Sequence, residues 1–301
     1  MRLSGYKALG HKNLIHDFVA GLDYLTDASW QLKEVAGLSA LSVVASNYTV
    51  EYKEQKIPLN LFTLIVGETR LTRKSTVLHY TEDLLNNIDE NLCTNLLVPI
   101  EVSPAEGEEG KKLLIVDPAI LTRKIEQKNL YKTYLAGWNI LMAITPYYFY
   151  PNELEPYILR EIFILRVKPA LFYPLFNPFS VEIRKSLYKQ IAHAYRAIYR
   201  NTEPVTLTLS PEAQHLYEEF TKSLYPRNPY QEGFHTKILK LAGLYAISRD
   251  SRRIEMTDLV NALRMAEECL RSYDAVIKED PTYLLPKRES IINRPEFSRL
   301  K

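Results

Sequence analysis

The stretch Asn60-Leu-Phe-Thr-Leu-Ile-Val-Gly67-Glu-Thr-Arg-Leu-Thr-Arg-Lys74-Ser75-Thr76 constrains the fold more than any other part of the chain. Leu61 to Val66 is an unbroken apolar run, which predicts a strand buried on both faces. A polar loop follows, and Lys74-Ser75-Thr76 opens a helix. Strand, loop and helix in that order form the layout of a phosphate-binding loop. Backbone N–H groups of the loop and first helical turn converge on an anion, and the helix dipole adds partial positive charge. In that layout Lys74 reaches the terminal phosphates and the Ser75 hydroxyl sits on Mg²⁺, with Gly67, Arg73 and Thr76 completing the cradle.

The spacing departs from the pattern G-x-x-x-x-G-K-[ST]. Arg73 stands in the place of the second glycine, and Gly67 is one position further from Lys74 than the first would be. Glycine lets a backbone approach a phosphate and take positive φ. Arg70 and Arg73 bring charge that can replace part of those contacts, together with bulk that opposes them. The same residues also suit an ordinary strand–loop–helix joint that carries a lysine.

Composition sets outer bounds. With 301 residues the chain is long enough for one large domain or two modest ones, and 46% hydrophobic with 25% charged residues is ordinary for a globular protein. A net charge of +2 means that any basic patch must be local. Cys93 and Cys269 are far apart and lack C-x-x-C partners, so neither a zinc site nor a disulfide framework is suggested. A reducing cytoplasm is the simplest home. No apolar run approaches membrane-span length, and residues 1–12 are not followed by the apolar segment of a signal peptide, so no membrane partner is expected.

Around the loop, apolar spacing predicts helices over 11–21 and 28–48, a short strand at Val50–Tyr52 with a turn after it, and a helix from Lys74 to about Asn87. Further strands are expected at Leu96–Val102, Lys111–Asp117, Trp138–Thr145 and Glu161–Val167, with a helix over 119–135. Between Val102 and Lys111 there are too few residues for an ordinary helical crossover. Either the crossover is cut to one turn or these two strands form an antiparallel hairpin. Helices follow over 180–200, 210–224, 232–248 and 256–277. The resulting fold class is α/β, a core sheet with helices on both faces. The expected division is an N-terminal helical segment (1–57), a core (58–178), a C-terminal helical lid (179–279) and an extended tail (280–301).

Ligands of open α/β sheets gather beyond the carboxyl ends of the strands. Gly67, Glu101, Asp117 and Thr145 stand at such ends. Asp117 fits a carboxylate near Mg²⁺, and it equally fits a helix N-cap. Glu101, with Glu106 in reserve, fits a group that orients an attacking water, or a plain surface charge. Thr145-Pro146 reads best as a strand terminus. Arg160 and Arg166 flank an apolar strand, and either suits an arginine that reaches a neighbouring subunit's phosphate or a solvated ion pair. On the helix 180–200, Lys185, Lys189, His193, Arg196 and Arg200 fall on one stripe. Residues 160–200 hold eight Lys or Arg against two Asp or Glu. Such a face can track a nucleic-acid backbone, and Phe172, Tyr173, Phe176 and Phe179 can stack on bases. A solvated helix face explains the stripe equally well.

The chain resembles the P-loop proteins of unknown function of viruses, plasmids and prophages, which are distantly similar to RecA- and DnaB-type helicase cores. The resemblance rests on Gly67-Glu-Thr-Arg-Leu-Thr-Arg-Lys-Ser-Thr, on Ala40-Leu-Ser-Val-Val, and on Ser103-Pro-Ala-Glu-Gly107 before the strand ending in Asp117. It also rests on Lys237-Ile-Leu-Lys-Leu-Ala-Gly-Leu-Tyr-Ala246, Ile254-Glu-Met-Thr-Asp-Leu and Ala262-Leu. It covers roughly residues 12–277. Pro118, where an acidic residue would stand, and the reduced loop glycines depart from the pattern. The resemblance implies a RecA/AAA-like P-loop core that binds ATP and Mg²⁺, hydrolyses ATP, and acts on DNA in the replication of a mobile element. It also implies a homo-oligomer with inter-subunit sites, expected as a ring. In that scheme Lys74 and Ser75 hold the phosphates and metal, Asp117 the metal, Glu101 the water, and Arg160 or Arg166 the neighbour's γ-phosphate. Lys185, Lys189, Arg196 and Arg200 face single-stranded DNA. The alternative is a catalytically weakened P-loop scaffold that binds DNA or supports assembly. A small-molecule kinase, which would use the same loop, lacks a separate acceptor pocket in the sequence.

Overall fold

The structure is a computed structural model that describes residues 13–23, 25–68, 72–96, 113–116, 124–146, 149, 151–167, 181–224 and 228–279. Its elements are α1 (Leu14–Asp23), α2 (Trp30–Val44), β1 (Tyr48–Tyr52), β2 (Gln55–Pro58), β3 (Phe62–Val66), α3 (Lys74–Ile88), β4 (Cys93–Leu96), β5 (Leu113–Val116), α4 (Lys124–Leu135) and β6 (Asn139–Ile144). They continue with α5 (Pro156–Glu161), β7 (Ile162–Arg166), α6 (Val181–Tyr199), β8 (Val205–Leu209), α7 (Pro211–Ser223), α8 (Pro229–Glu232), α9 (Phe234–Ser248), β9 (Arg253–Ile254) and α10 (Met256–Glu279).

The main sheet has the order β4-β5-β6-β3-β7, and every pairing in it is parallel. The β4–β5 register, Cys93↔Leu113 to Leu96↔Val116, removes the antiparallel hairpin left open by the sequence. β4 begins at Cys93, three residues before the expected start at Leu96. Residues 97–102 of that expected strand lie outside the described residues.

All five residues of β3, Phe-Thr-Leu-Ile-Val, are buried, as a strand covered on both faces requires. On one face Phe62 meets Tyr134 of α4, with ring centroids 5.7 Å apart. On the other, Leu61, Thr63, Phe163 and Leu165 face Val35 and Leu38 of α2, Leu241 of α9, and Met265 and Cys269 of α10 around a small cavity. The helices expected as a C-terminal lid thus reach the sheet face together with α2. Beside β7 the Tyr230 hydroxyl accepts from Ile164 N (3.2 Å) and donates to Cys269 O (3.3 Å), taking up one N–H of that strand.

A second sheet, β2-β1-β8-β9, was only partly anticipated. β1 and β2 form an antiparallel hairpin whose turn residues Lys53 and Glu54 both take positive φ (48° and 66°), the twist that two-residue hairpins require. β1 also pairs in parallel with β8, and β8 with β9. This sheet joins residues from the 1–57 and 179–279 segments.

The amino ends of the main-sheet strands rest on a buried polar network. Lys240 donates to Asn60 O (3.0 Å) and to the Tyr134 hydroxyl, which in turn donates to Glu161 (3.0 Å). Asn139 Oδ1 accepts from Leu61 N (2.7 Å) and from Ser42. Lys237, one turn earlier on α9, donates to Leu159 O and Tyr230 O and lies over the Tyr230 ring, 3.9 Å from its centroid. Burial lowers Lys237 to about 7 and Lys240 to about 8. Gly233, at the α8–α9 joint, has no alternative: a Cβ there would lie 1.7 Å from Arg160 O.

Candidate phosphate-binding loop

The candidate site lies at the opposite, carboxyl end of the main sheet. β3 delivers the chain to Gly67, whose N–H donates to Ile144 O at the end of β6 (3.0 Å). Val167 N donates to Val66 O (2.7 Å) on the other side. The loop therefore leaves between two parallel neighbours whose ends are level with its own. Gly67 is favoured by crowding. A Cβ there would meet Thr72 Cγ2 at 3.0 Å, Thr72 Oγ1 at 3.1 Å and Val167 O at 3.2 Å. Thr72 folds the loop back on itself by donating its hydroxyl to Glu68 O (2.7 Å). Residues 69–71, Arg70 included, lie outside those described.

Arg73 takes φ 57° and ψ 23°, the left-handed conformation. A non-glycine residue pays roughly 1 kcal/mol or more for that backbone. The position counted from sequence as the second glycine thus does adopt a glycine-like conformation, with an arginine in it. Its Nε donates to Asp27 (2.9 Å), in the joint between α1 and α2.

Lys74 is the first residue of α3 and is only 8% exposed. Its ammonium turns back across the loop and donates to Gly67 O. Burial lowers its pKa from 10.5 to about 8, an effect partly offset by the Glu68 carboxylate. The N-terminus of α3 has no side-chain cap and no acidic residue in its first turn. Its leading N–H groups are therefore not satisfied by a capping side chain. Ser75 is exposed and Thr76 half-buried, both in that first turn.

The other candidates divide by position. Arg166 is in register with Val66 at the end of β7, and Thr145 directly follows Ile144, the residue in register with Val66 on β6. Both are brought to the loop, within one strand spacing on either side. Arg160 is not. It lies in α5, before β7, a full strand length from the loop, and its Nε pairs with Glu232 at 2.7 Å. Asp117 follows directly after β5, and Glu101 and Glu106 fall between β4 and β5; all three lie outside the described residues. β5 stands two strands from β3 and β4 three, roughly 10 and 14 Å at the usual spacing. Among the described residues no group of three or more His, Cys, Asp or Glu could hold a metal ion.

On α6, Lys189, His193 and Arg200 are exposed. Arg196, in the middle of the stripe, is committed to the fold, donating to Asn87 O at the end of α3. Beside it Tyr199 donates to Asp89 (2.8 Å). The side chain of Lys185 lies outside the described residues, as do Phe172, Tyr173, Phe176 and Phe179.

Two contributors escaped the sequence reading. Thr72 shapes the loop around Gly67, and Asp27 holds Arg73. Nothing local marks Asp27, which reads as a polar residue before the Ser29 N-cap of α2. These features define a mixed α/β protein whose parallel sheet carries a lysine-bearing loop-to-helix joint at its carboxyl edge. No protein-family model and no curated protein matches the chain. Among the described residues no helix is long and apolar enough to cross a membrane.

Proposed function

We propose that the chain binds ATP with Mg²⁺ at the Gly67–Thr76 loop and works as a P-loop, RecA-like motor on DNA in the replication of a mobile element. The observation that carries this reading is the combination at one point of Lys74, the uncapped start of α3 and the left-handed backbone at Arg73. An ammonium whose one acceptor among the described residues is a backbone carbonyl, and a helix start that its N-cap residue does not cap, suit a polyanion. The strand order adds support. β3 is flanked on both sides by parallel strands, so the loop opens where several carboxyl ends converge.

The residues present fit a triphosphate. The first-turn N–H groups of α3 and the Lys74 ammonium would hold the phosphates, and Ser75 with Asp117 would hold the metal. Mg²⁺ supplies charge neutralisation on the phosphate oxygens when bound. Asp117 has the better claim to the metal than Glu101, because β5 is one strand nearer the loop than β4. Arg166 and Thr145 are positioned to sense the terminal phosphate from within the same chain. On α6, Lys189 and Arg200 are the groups free of the fold's own demands at the level of burial, and they form the proposed contact with single-stranded DNA.

A second reading has its own observation. One donor of Lys74 is already taken by Gly67 O, and a bulky Arg73 replaces a glycine. Both suit a scaffold that binds nucleotide without rapid turnover and serves DNA binding or assembly. Equilibrium binding of Mg·ATP by the wild type and Lys74→Ala, followed by phosphate release with and without single-stranded DNA, tests both. Binding lost in Lys74→Ala, with DNA-stimulated release in the wild type, supports the motor. Binding without release favours the scaffold. Binding unaffected by Lys74→Ala removes the site.

A further inference from the structure

Arginine in the glycine position poses a problem that the structure answers. Its side chain springs from the residue just before α3. A guanidinium folded over the mouth of α3 would add bulk where a phosphate must come close. The structure pairs it with the α1–α2 joint. Arg73 Nε donates to Asp27 Oδ1 at 2.9 Å, across 46 residues of sequence. The Asp27 side chain is 13% exposed and that of Arg73 37%.

Asp27 is well anchored for such a task. Ala28 N donates to the Thr26 hydroxyl (3.2 Å), Ser29 caps α2 by accepting from Leu32 N, and Lys33 of α2 pairs with Asp23 of α1. The α1–α2 joint is thereby pinned on both sides of the carboxylate, and α2 packs along α3. A charge-assisted bond to a fixed partner constrains the arginine more tightly than one to a mobile side chain.

We propose that Asp27 is a positioning residue: it holds the Arg73 guanidinium against the α1–α2 joint and so keeps the mouth of α3 clear for phosphates. The inference rests on the reading of the loop as a nucleotide site. It assigns the N-terminal helices a part in that site, and it assigns Arg73 a backbone contribution in place of a side-chain one.

The test is a double-mutant cycle on the full chain, titrated with Mg·ATP, comparing wild type, Asp27→Asn, Arg73→Gly and the double variant, with melting temperatures for each. Asp27→Asn weakens binding about tenfold with the arginine present and by less than about twofold in the R73G background, because only the arginine can obstruct the mouth. Asp27→Glu restores most of the affinity. Asp27→Ser, which removes the carboxylate with a smaller polar side chain, weakens binding as Asp27→Asn does and keeps the test available should Asp27→Asn fail to fold. An equal loss in both backgrounds, or no loss in either, overturns the inference alone. Absence of Mg·ATP binding by the wild type overturns the functional reading and this inference with it.

Discussion

Two ends of one sheet each hold a buried lysine, and the contrast separates a site from a scaffold. At the amino end, Lys240 is enclosed by Asn60 and by the hydroxyl and ring of Tyr134, with Glu161 one hydrogen bond further on. At the carboxyl end, Lys74 reaches, among the described residues, a single backbone carbonyl of its own loop, beside a helix start that its N-cap residue does not cap. Both have pKa values lowered to about 8 by burial. The shift alone therefore does not mark function. What marks it is whether the surroundings complete the cation's hydrogen bonds or leave them to an incoming anion.

Exchanging the roles by mutation gives the largest expected effect. Lys74→Ala lowers Mg·ATP affinity by more than about a hundredfold while moving the melting temperature by only a few degrees. Lys240→Met does the reverse, leaving affinity within about twofold and altering stability. If both variants affect binding alike, the distinction between the two ends fails.

Stability against pH sharpens the same contrast. Lys237 and Lys240 have folded values of about 7 and 8, below the 10.5 of the unfolded chain. The folded state therefore binds fewer protons, and stability rises with pH across the window from about 7 to 10.5. Equivalently, stability is complete above the unfolded value and lost as pH falls through the folded ones. The raised values of buried Tyr134, Tyr230 and Tyr245 act oppositely above pH 10. Thermal melts should show a maximum between pH 9 and 10, several degrees above that at pH 6.5. The slope should flatten in Lys237→Met. A maximum near neutrality would mean that these ammonium groups are better solvated than the packing implies.

Gly67→Ala is expected to weaken Mg·ATP binding by about tenfold, because Thr72 must move to admit the methyl group. Unchanged affinity would place the phosphates elsewhere on the sheet. The smallest effect is expected on α6. Lys189→Ala and Arg200→Ala each reduce the salt dependence of single-stranded DNA binding by about one unit of slope. Arg196→Ala instead lowers the melting temperature, since it ties α6 to the end of α3.

The sequence carried the main sheet well where burial left a plain signature. The apolar run of β3 and the periodic face of α3 were legible to within a residue or two, because each has one dominant spacing. β8, Val-Thr-Leu-Thr-Leu, was not, since a five-residue alternation between longer helices gives little signal. The parallel pairing of β4 with β5 was undecidable from the residues, because strand direction follows from the backbone register and not from apolar spacing. Within the site, Gly67 and Arg166 could be placed at strand ends, and Lys74 at the start of a helix, from local pattern. The Asp27–Arg73 contact could not, because a pairing across 46 residues depends on how α2 packs along α3.

The most direct measurement is calorimetric titration of Mg·ATP at pH 8.5 in two buffers of different ionisation enthalpy. Lys74, with a pKa of about 8 in the free protein, is then mostly neutral, and phosphates beside it raise that value. The account predicts net proton uptake on binding, absent in Lys74→Met, and an affinity that falls as pH rises above 8. Tight binding with no proton uptake, or uptake that persists in Lys74→Met, would contradict it.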